Sequence, residues 1–316
     1  MSIDAILKEI MTTAWHPRRV DGASAKLGVF GIGVNSTTYE DATATIIDAA
    51  TSRRSLAVTA LATHGLMEAV SDPEFGRVVN SIDLVTPDGQ PVRWALNRLA
   101  AAGLDDRVYG PTLTLRVCGE AERRGLSVYL FGSTAETCDR LVDSLHARFA
   151  GLEIAGVQPD RFREATPEED RDDIARIVAS GANIVLVGRG CPRQERWVEA
   201  HRGAIPAPML AVGAAFDYLS GVLPAPPQWM QRAGLEWLYR LCREPRRLWR
   251  RYLVTNTQFI IRFSAELVAA WRSKRQPAHC RATRSTAWRQ RGSGAGPTVP
   301  RRPGASAHTP RPRRRC

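Results

Sequence analysis

The sequence predicts an α/β protein built on a mostly parallel sheet with helices on both faces, and three observations carry that expectation. From residue 27 onward, short apolar runs alternate with longer segments of helical period. Several runs are rich in Val, Leu and Ile and show little of the alternation that a half-exposed strand requires. Regular strand–helix alternation is what right-handed crossovers between parallel strands produce.

In chain order, strands are expected at 27–32, 56–61, 82–85, 127–131, 152–157, 184–187 and 209–212. Helices are expected between them at 39–50, 91–101, 113–124, 135–150, 167–180 and 194–202. Two helix starts are well marked. Ser133-Thr134-Ala135-Glu136 and Thr166-Pro167-Glu168-Glu169 both read as capping boxes, the second with Pro at the first helical position.

After Val222 the character changes. Leu223-Pro224-Ala225-Pro226-Pro227 is a stiff break, because its prolines cannot donate backbone hydrogen bonds. A stretch dense in Trp, Leu and Tyr follows over 228–243, then a long helical pattern from about 245 to 272. In that pattern Leu248, Tyr252, Phe259, Phe263, Leu267 and Trp271 recur at three-to-four-residue spacing, and Arg246, Arg247, Arg250 and Arg251 crowd its start. Beyond Lys274 there is almost nothing large and apolar to bury, so disorder is expected there. The resulting division is an N-terminal extension (1–26), an α/β core (27–222), an Arg/aromatic helical appendage (223–274) and a basic tail (275–316).

The chain of 316 residues carries a net charge of +12, a value that suggests nucleic acid until it is located. Residues 275–316 contain eleven Arg and no Asp or Glu, and the rest of the chain has 33 basic against 32 acidic residues. The basicity belongs to the tail. Six Cys are scattered without Cys-x-x-Cys pairs, which argues against a zinc site or a disulfide framework and for a reducing compartment. The first 16 residues hold Asp4 and Glu9 and no apolar run of signal-peptide length, and nowhere do about 18 apolar residues run together. A soluble or surface-bound protein is expected.

Ligands of parallel α/β sheets bind in crevices at the carboxyl ends of strands, where several chemistry-bearing residues fall. Leu84-Val85-Thr86-Pro87-Asp88-Gly89 runs an apolar strand into Asp88, a carboxylate able to accept a proton from an attacking hydroxyl. Pro-Asp-Gly also fits plain turn chemistry. Phe131-Gly132-Ser133 opens a capped helix, whose free amides and dipole favour phosphate, although the full dinucleotide fingerprint and the P-loop Lys are lacking. Gly31-Ile32-Gly33 fits a tight turn at least as well. Gln194 and Glu195 lie on a first helical turn after Gly188-Arg189-Gly190, Asp217 follows Gly213 on the same rim, and His64 sits just after the second strand. A first-turn acid also suits the helix dipole alone, and a lone His is commonly structural. No Asp-x-Asp pair ends an apolar strand and the six His show no metal spacing. The Arg-plus-aromatic C-terminal helix suits a membrane interface, or equally an ordinary helix docked on the core.

Taken in order, Thr86-Pro87-Asp88-Gly89, Asp106-Arg107-Val108-Tyr109-Gly110-Pro111, Phe131-Gly132-Ser133, Gly190-Cys191-Pro192-Arg193-Gln194-Glu195, Ala215-Phe216-Asp217-Tyr218-Leu219-Ser220-Gly221 and Leu235-Glu236-Trp237-Leu238-Tyr239-Arg240 through Arg247 resemble the motifs of the WecG/TagA/CpsF family of bacterial glycosyltransferases. The resemblance covers about residues 27–260. It implies a Rossmann-like core and inverting hexosyl transfer from a UDP-sugar to a sugar–diphosphate–polyprenol acceptor in exopolysaccharide or cell-surface polysaccharide synthesis. It also implies that no metal or other cofactor is needed. By motif position, Asp88 is implied as general base, and Arg107 and Gln194 as donor or acceptor ligands beside His64, Gly132, Ser133 and Asp217. Arg240, Arg246, Arg247 and Arg250 are implied to meet the lipid diphosphate at the membrane, since Arg binds phosphate bidentately. The enzyme is then expected in the cytoplasm, held peripherally on the inner face of the cell membrane. Family members self-associate in some cases, so a homo-oligomer is an open expectation.

One departure bears on the donor. The family's N-acetylmannosamine transferases carry Thr-x-Asn after the second strand, where this chain has Ala62-Thr63-His64-Gly65-Leu66-Met67. That variant is similar to the xanthan/acetan-type branch of β-1,4-glucosyltransferases, which makes glucose the expected sugar and N-acetylmannosamine the alternative. An oxidoreductase on the same fold class is a weaker reading, since no downstream ribose-binding acid completes a fingerprint. Specific nucleic-acid binding is not expected from a near-neutral body.

Overall fold

In a computed structural model, residues 25–275 are described; the N-terminal extension through residue 24 and the tail from 276, with its expected disorder, lie outside them. Among the described residues, those up to Ala269 belong to one compact unit and those from Ala270 to a second. Every side chain of the site belongs to the first.

The run expected as one strand at 27–32 is a hairpin, β1 (Lys26–Val29) and β2 (Ile32–Asn35), with Val29 opposite Ile32. Phe30 and Gly31 both have positive φ, 54° and 84°. Two such residues make the mirror-image turn whose twist matches the flanking strands. The hairpin stands apart from the main sheet, and Asn35 ties it there by accepting from the Val85 N–H at 2.8 Å.

After α1 (Tyr39–Thr51) comes β3 (Leu56–Leu61), then two helices not expected from the sequence, α2 (Thr63–Ser71) and α3 (Pro73–Ser81). Asp72-Pro73 marks the start of α3: the Asp72 carboxylate accepts from the Glu74 N–H at 2.9 Å and Pro occupies the first turn. Strand β4 (Leu84–Pro87) begins two residues later than expected and ends on Pro, tolerated because β4 is an edge strand. Next come α4 (Gln90–Leu99), α5 (Gly110–Arg124), β5 (Val128–Gly132), α6 (Ala135–Arg148), β6 (Ile154–Gln158), α7 (Pro167–Ala179), β7 (Ile184–Gly188), α8 (Arg193–Ala200), β8 (Pro208–Ala211) and α9 (Ala215–Leu219). The Thr166 capping box with Glu169 forms as the sequence predicts. The earlier box does not. Thr134, not Ser133, caps α6 by accepting from the Thr137 N–H, because Ser133 has φ 57° and gives its own N–H to the Gly188 carbonyl.

The six-stranded sheet is parallel throughout, in the order β4-β3-β8-β7-β5-β6, giving the Rossmann-like α/β architecture expected. Strand side chains alternate between two cores. Ala57, Val85, Phe131, Val187 and Met209 pack with α2, α3, α4 and α8. Leu56, Val58, Leu84, Leu130, Leu186 and Leu210 pack with α1, α5, α6 and α9. Both faces being covered explains why the strands read as continuous apolar runs.

At the end of β5, Gly132 has φ 125°, and a Cβ there would lie 2.5 Å from the Gly188 carbonyl. Gly132→Ala is therefore expected to destabilise the fold by about 2–4 kcal/mol, from strain plus overpacking. Thermal unfolding would register this as a lower Tm.

After the proline break come α10 (Gln228–Arg232), α11 (Glu236–Arg243) and the long α12 (Pro245–Arg275). Leu248, Thr255 and Phe259 of α12 are buried, and Phe259 meets Phe30 of the hairpin edge-on at 5.7 Å. The appendage thus supplies part of the core. Its opposite side carries a second apolar surface that the expected stripe did not include: Trp249, Leu253, Val254, Ile260 and Ile261, each 52–63 % exposed. No helix among the described residues is long and apolar enough to cross a membrane.

Candidate active site

Two cavities open at the carboxyl rim of the sheet, and Asp88 lines both, as do His64, Val212, Arg240 and Arg251. One, of about 460 Å³, is bordered by Trp94, Trp237, Tyr252, Phe259 and Ile260. The other, of about 890 Å³, is bordered by Ser133, Thr134, Gln194, Asp217 and Arg247. The first is walled chiefly by aromatic and aliphatic groups of α4, α11 and α12, the second by polar groups following β5, β7 and β8.

Asp88 follows β4 directly. Its N–H continues the ladder to the Leu61 carbonyl at 3.2 Å, and its Oδ1 accepts from the Gly110 N–H at 2.8 Å, at the start of α5. Burial pushes its pKa up to about 6, against the opposing pull of Arg107, the Gly110 hydrogen bond and Arg240, while the Glu236 carboxylate adds to the rise. The group is therefore a carboxylate near neutral pH and a stronger base than a surface aspartate. This placement goes beyond the turn chemistry that Pro-Asp-Gly alone permits.

Arg107 is 5 % exposed, lies over the Tyr109 ring at 4.3 Å, and is gripped by both carboxylate oxygens of Glu236 from α11. Glu236, though part of a motif, had no role in the sequence reading; only the appendage's path brings it to residue 107. Arg240, one α-helical turn on, lies 5.9 Å from the Tyr218 ring centroid and lines both cavities.

Gln194 is buried and fixed at both ends: its Oε1 accepts from the Gly190 N–H at 3.2 Å and its Nε2 donates to Glu195 at 2.9 Å. Glu195 also accepts from the Thr59 hydroxyl at 3.1 Å, while its other oxygen is buried without a hydrogen bond, and burial raises its pKa. His64 starts α2 and burial, assisted by Arg251, lowers its pKa to about 4, leaving a neutral imidazole. Asp217 on α9 lines the polar cavity, its pKa raised by burial against the pull of Arg240 and Arg247.

The expected residues are not all gathered. Asp88, His64, Ser133, Gln194, Asp217, Arg107, Arg240 and Arg247 line one cavity or both, Arg247 beside Glu244. Gly132 lines neither and answers to packing against Gly188, while Arg246 and Arg250 lie exposed outside both cavities. Arg251, which the motif reading passed over, lines both cavities instead. Its position four residues beyond Arg247 and three beyond Leu248, on the docked face, was the available signal. Among the described residues, no three His, Cys, Asp or Glu side chains stand together as a metal would require, and Cys118, Cys138, Cys191 and Cys242 are free.

A carboxylate of raised pKa at the rim of a Rossmann-like sheet, lining both a polar and an apolar cavity, is an arrangement able to take a proton from a hydroxyl. Comparison with known sequences narrows the class. Residues 27–275 match the Glycosyl transferase WecG/TagA/CpsF family, and the chain belongs to that family of glycosyltransferases, which transfer hexosyl groups. It is similar to an N-acetylglucosaminyldiphosphoundecaprenol N-acetyl-beta-D-mannosaminyltransferase of Bacillus spizizenii strain W23, with 30% identity over 187 residues covering 59% of this chain and 70% of that protein. A protein of the same name from Bacillus subtilis strain 168 is 29% identical over 187 residues, covering 58% and 70%.

Proposed function

We propose that the protein moves a sugar from a UDP-sugar onto a hydroxyl of a sugar–diphosphate–polyprenol, with inversion, at a membrane surface. The observation that carries this reading is Asp88, poised near pKa 6 where the two cavities meet. In the step proposed, the acceptor oxygen attacks the donor's anomeric carbon while its proton passes to Asp88. The new carbon–oxygen bond forms as the bond to the diphosphate breaks, and UDP leaves. The polar cavity, with Ser133 and Thr134 at the start of α6 and Arg240 and Arg247 opposite, suits the nucleotide diphosphate. The aromatic cavity suits a sugar carried on a lipid. Arginine charge takes the part a cation plays elsewhere, so no metal is proposed.

The relatives' names favour N-acetylmannosamine as the sugar transferred, over the glucose expected from His64-Gly65-Leu66-Met67. What speaks for glucose is the resemblance of the His64-Gly65-Leu66-Met67 variant to the xanthan/acetan-type branch, and His64 lines both cavities. The exposed Trp249, Leu253, Ile260 and Ile261, with Arg246 and Arg250 nearby, support contact with the cytoplasmic leaflet, where each Arg contributes about 1 kcal/mol.

A donor panel tests the reading. Full-length enzyme is given a synthetic N-acetylglucosaminyl-diphosphate-lipid or glucosyl-diphosphate-lipid, with UDP-N-acetylmannosamine, UDP-glucose or UDP-glucuronate, each with and without EDTA. Transfer from UDP-N-acetylmannosamine, unaffected by EDTA, is expected. Glucose transfer instead would restore the reading from position 64, chelator-sensitive turnover would remove the metal-free mechanism, and silence with every pair would remove the substrate class.

A further inference from the structure

The Arg107–Glu236 pair does something that neither residue does alone. It spans two parts of the chain, with Arg107 in the segment entering α5 and Glu236 opening α11, 129 positions later. Its geometry is the bidentate fork that arginine otherwise gives to a phosphate. It is also nearly dry, the two side chains being 5 % and 17 % exposed. Both members line the cavity that Asp88 lines, so the pair is part of the charge environment of the base.

Charged and titratable groups surround Asp88 from every wall. His64 of α2 is neutral, and burial keeps Tyr109 and, from α9, Tyr218 protonated, as it does Tyr252 of α12. Glu195 and Asp217 face the polar side, and burial raises both. Arg240 and Arg251 are cations on the wall shared by both cavities, and Arg107 is a cation of the apolar one. Glu236 is the carboxylate set against Arg107.

We propose that Glu236 is a positioning residue for the reaction: by pairing with Arg107 it offsets a positive charge that lines the same cavity as the base and keeps Asp88 basic, and it does so only when the appendage is docked. The appendage then brings more than arginines and apolar surface to the site. It also brings the carboxylate that lets Asp88 work beside an arginine. A chain whose appendage is undocked has an uncompensated Arg107 on the wall that Asp88 lines, and a close uncompensated cation lowers a carboxylate pKa by about 1–3 units. Turnover away from the docked state is thereby suppressed by charge as well as by lost contacts.

This inference rests on Asp88 being the base, and the experiment separates the two. The pH profile of kcat/KM is measured with full-length parent, Asp88→Asn, Glu236→Gln, Glu236→Asp and Arg107→Lys on the lipid acceptor and donor identified above. The parent's acid limb is expected near pH 6, because activity requires the carboxylate and rises as Asp88 loses its proton. Glu236→Gln removes the compensating charge, so the midpoint should fall by about one unit and the plateau by about tenfold, since a weaker base takes the proton less readily. Glu236→Asp keeps the charge and should hold the parent midpoint. Arg107→Lys keeps its charge but cannot grip a carboxylate bidentately, so its midpoint should fall too, and it decides the matter if the glutamine variant does not fold. A Glu236→Gln enzyme with lower rate but unmoved midpoint would make Glu236 a structural brace and overturn the inference. Asp88→Asn retaining the acid limb would instead overturn the base assignment on which it rests.

Discussion

Asp88→Asn is expected to reduce transfer by at least about 10²–10⁴-fold, the range that a positioned general base supplies, and to leave the protein folded. Asparagine matches the aspartate in shape and its side-chain oxygen can still accept from the Gly110 N–H, so the backbone anchor to Leu61 and the start of α5 are retained. Stability should move the other way from activity. A native pKa near 6, raised from the usual 3.8, means the folded state holds a proton that the unfolded state releases between roughly pH 4 and 6. Stability therefore falls as pH rises through that window, and the penalty persists above it. The asparagine variant, which never ionises, escapes it and should melt no lower than the parent at pH 7. Turnover by the variant close to the parent's would remove Asp88 from the role.

Truncation after Val222 is expected to abolish transfer to liposome-borne acceptor and also to weaken the core. Read from the sequence, the break at Leu223–Pro227 suggests that what precedes it stands on its own. In the fold, the missing segment includes Leu248 and Phe259, both buried, and Phe30 loses its aromatic partner. Deleting a buried Phe or Leu costs about 2–5 kcal/mol each where a cavity remains. The same cut removes Arg240 and Arg251 from both cavities and leaves the Arg107 guanidinium, 5 % exposed, without its carboxylate. Breaking a buried pair from one side costs more than either charge alone would suggest. Activity on liposomes and thermal unfolding, measured on the same preparation, check both halves. Full activity in the truncated chain would dissociate the appendage from the site.

Much of the sheet was legible because burial on both faces leaves continuous Val/Leu/Ile runs, and six of the expected strands fall on strands. The seventh, at 27–32, concealed a turn: Phe30 is a poor residue for positive φ, and nothing local announces that it takes one to reach Phe259. Helices α2 and α3 were missed because Thr63–Ser81 directly follows a strand and is interrupted by Asp72-Pro73, which breaks the 3.6-residue period while starting the second helix. At the site, the residues that end strands were readable, since a strand's carboxyl end is a fixed place in a parallel sheet. Of those contributed by the appendage, Arg240 and Arg247 were readable from the motif but Glu236 and Arg251 were not, because a helix face is chosen by what it docks against. That is why Arg251 lines the cavities and Arg250 does not.

The amino-acid order alone determined the layered α/β core, the rim on which Asp88, Ser133 and Asp217 fall, and the family to which the chain belongs, because periodicity and strand-to-loop transitions are local properties. Tertiary structure decided that Asp88 is basic and that Glu236 meets Arg107. Burial and charge pairing depend on groups far apart in the chain, and only folding brings them within a few ångströms of each other.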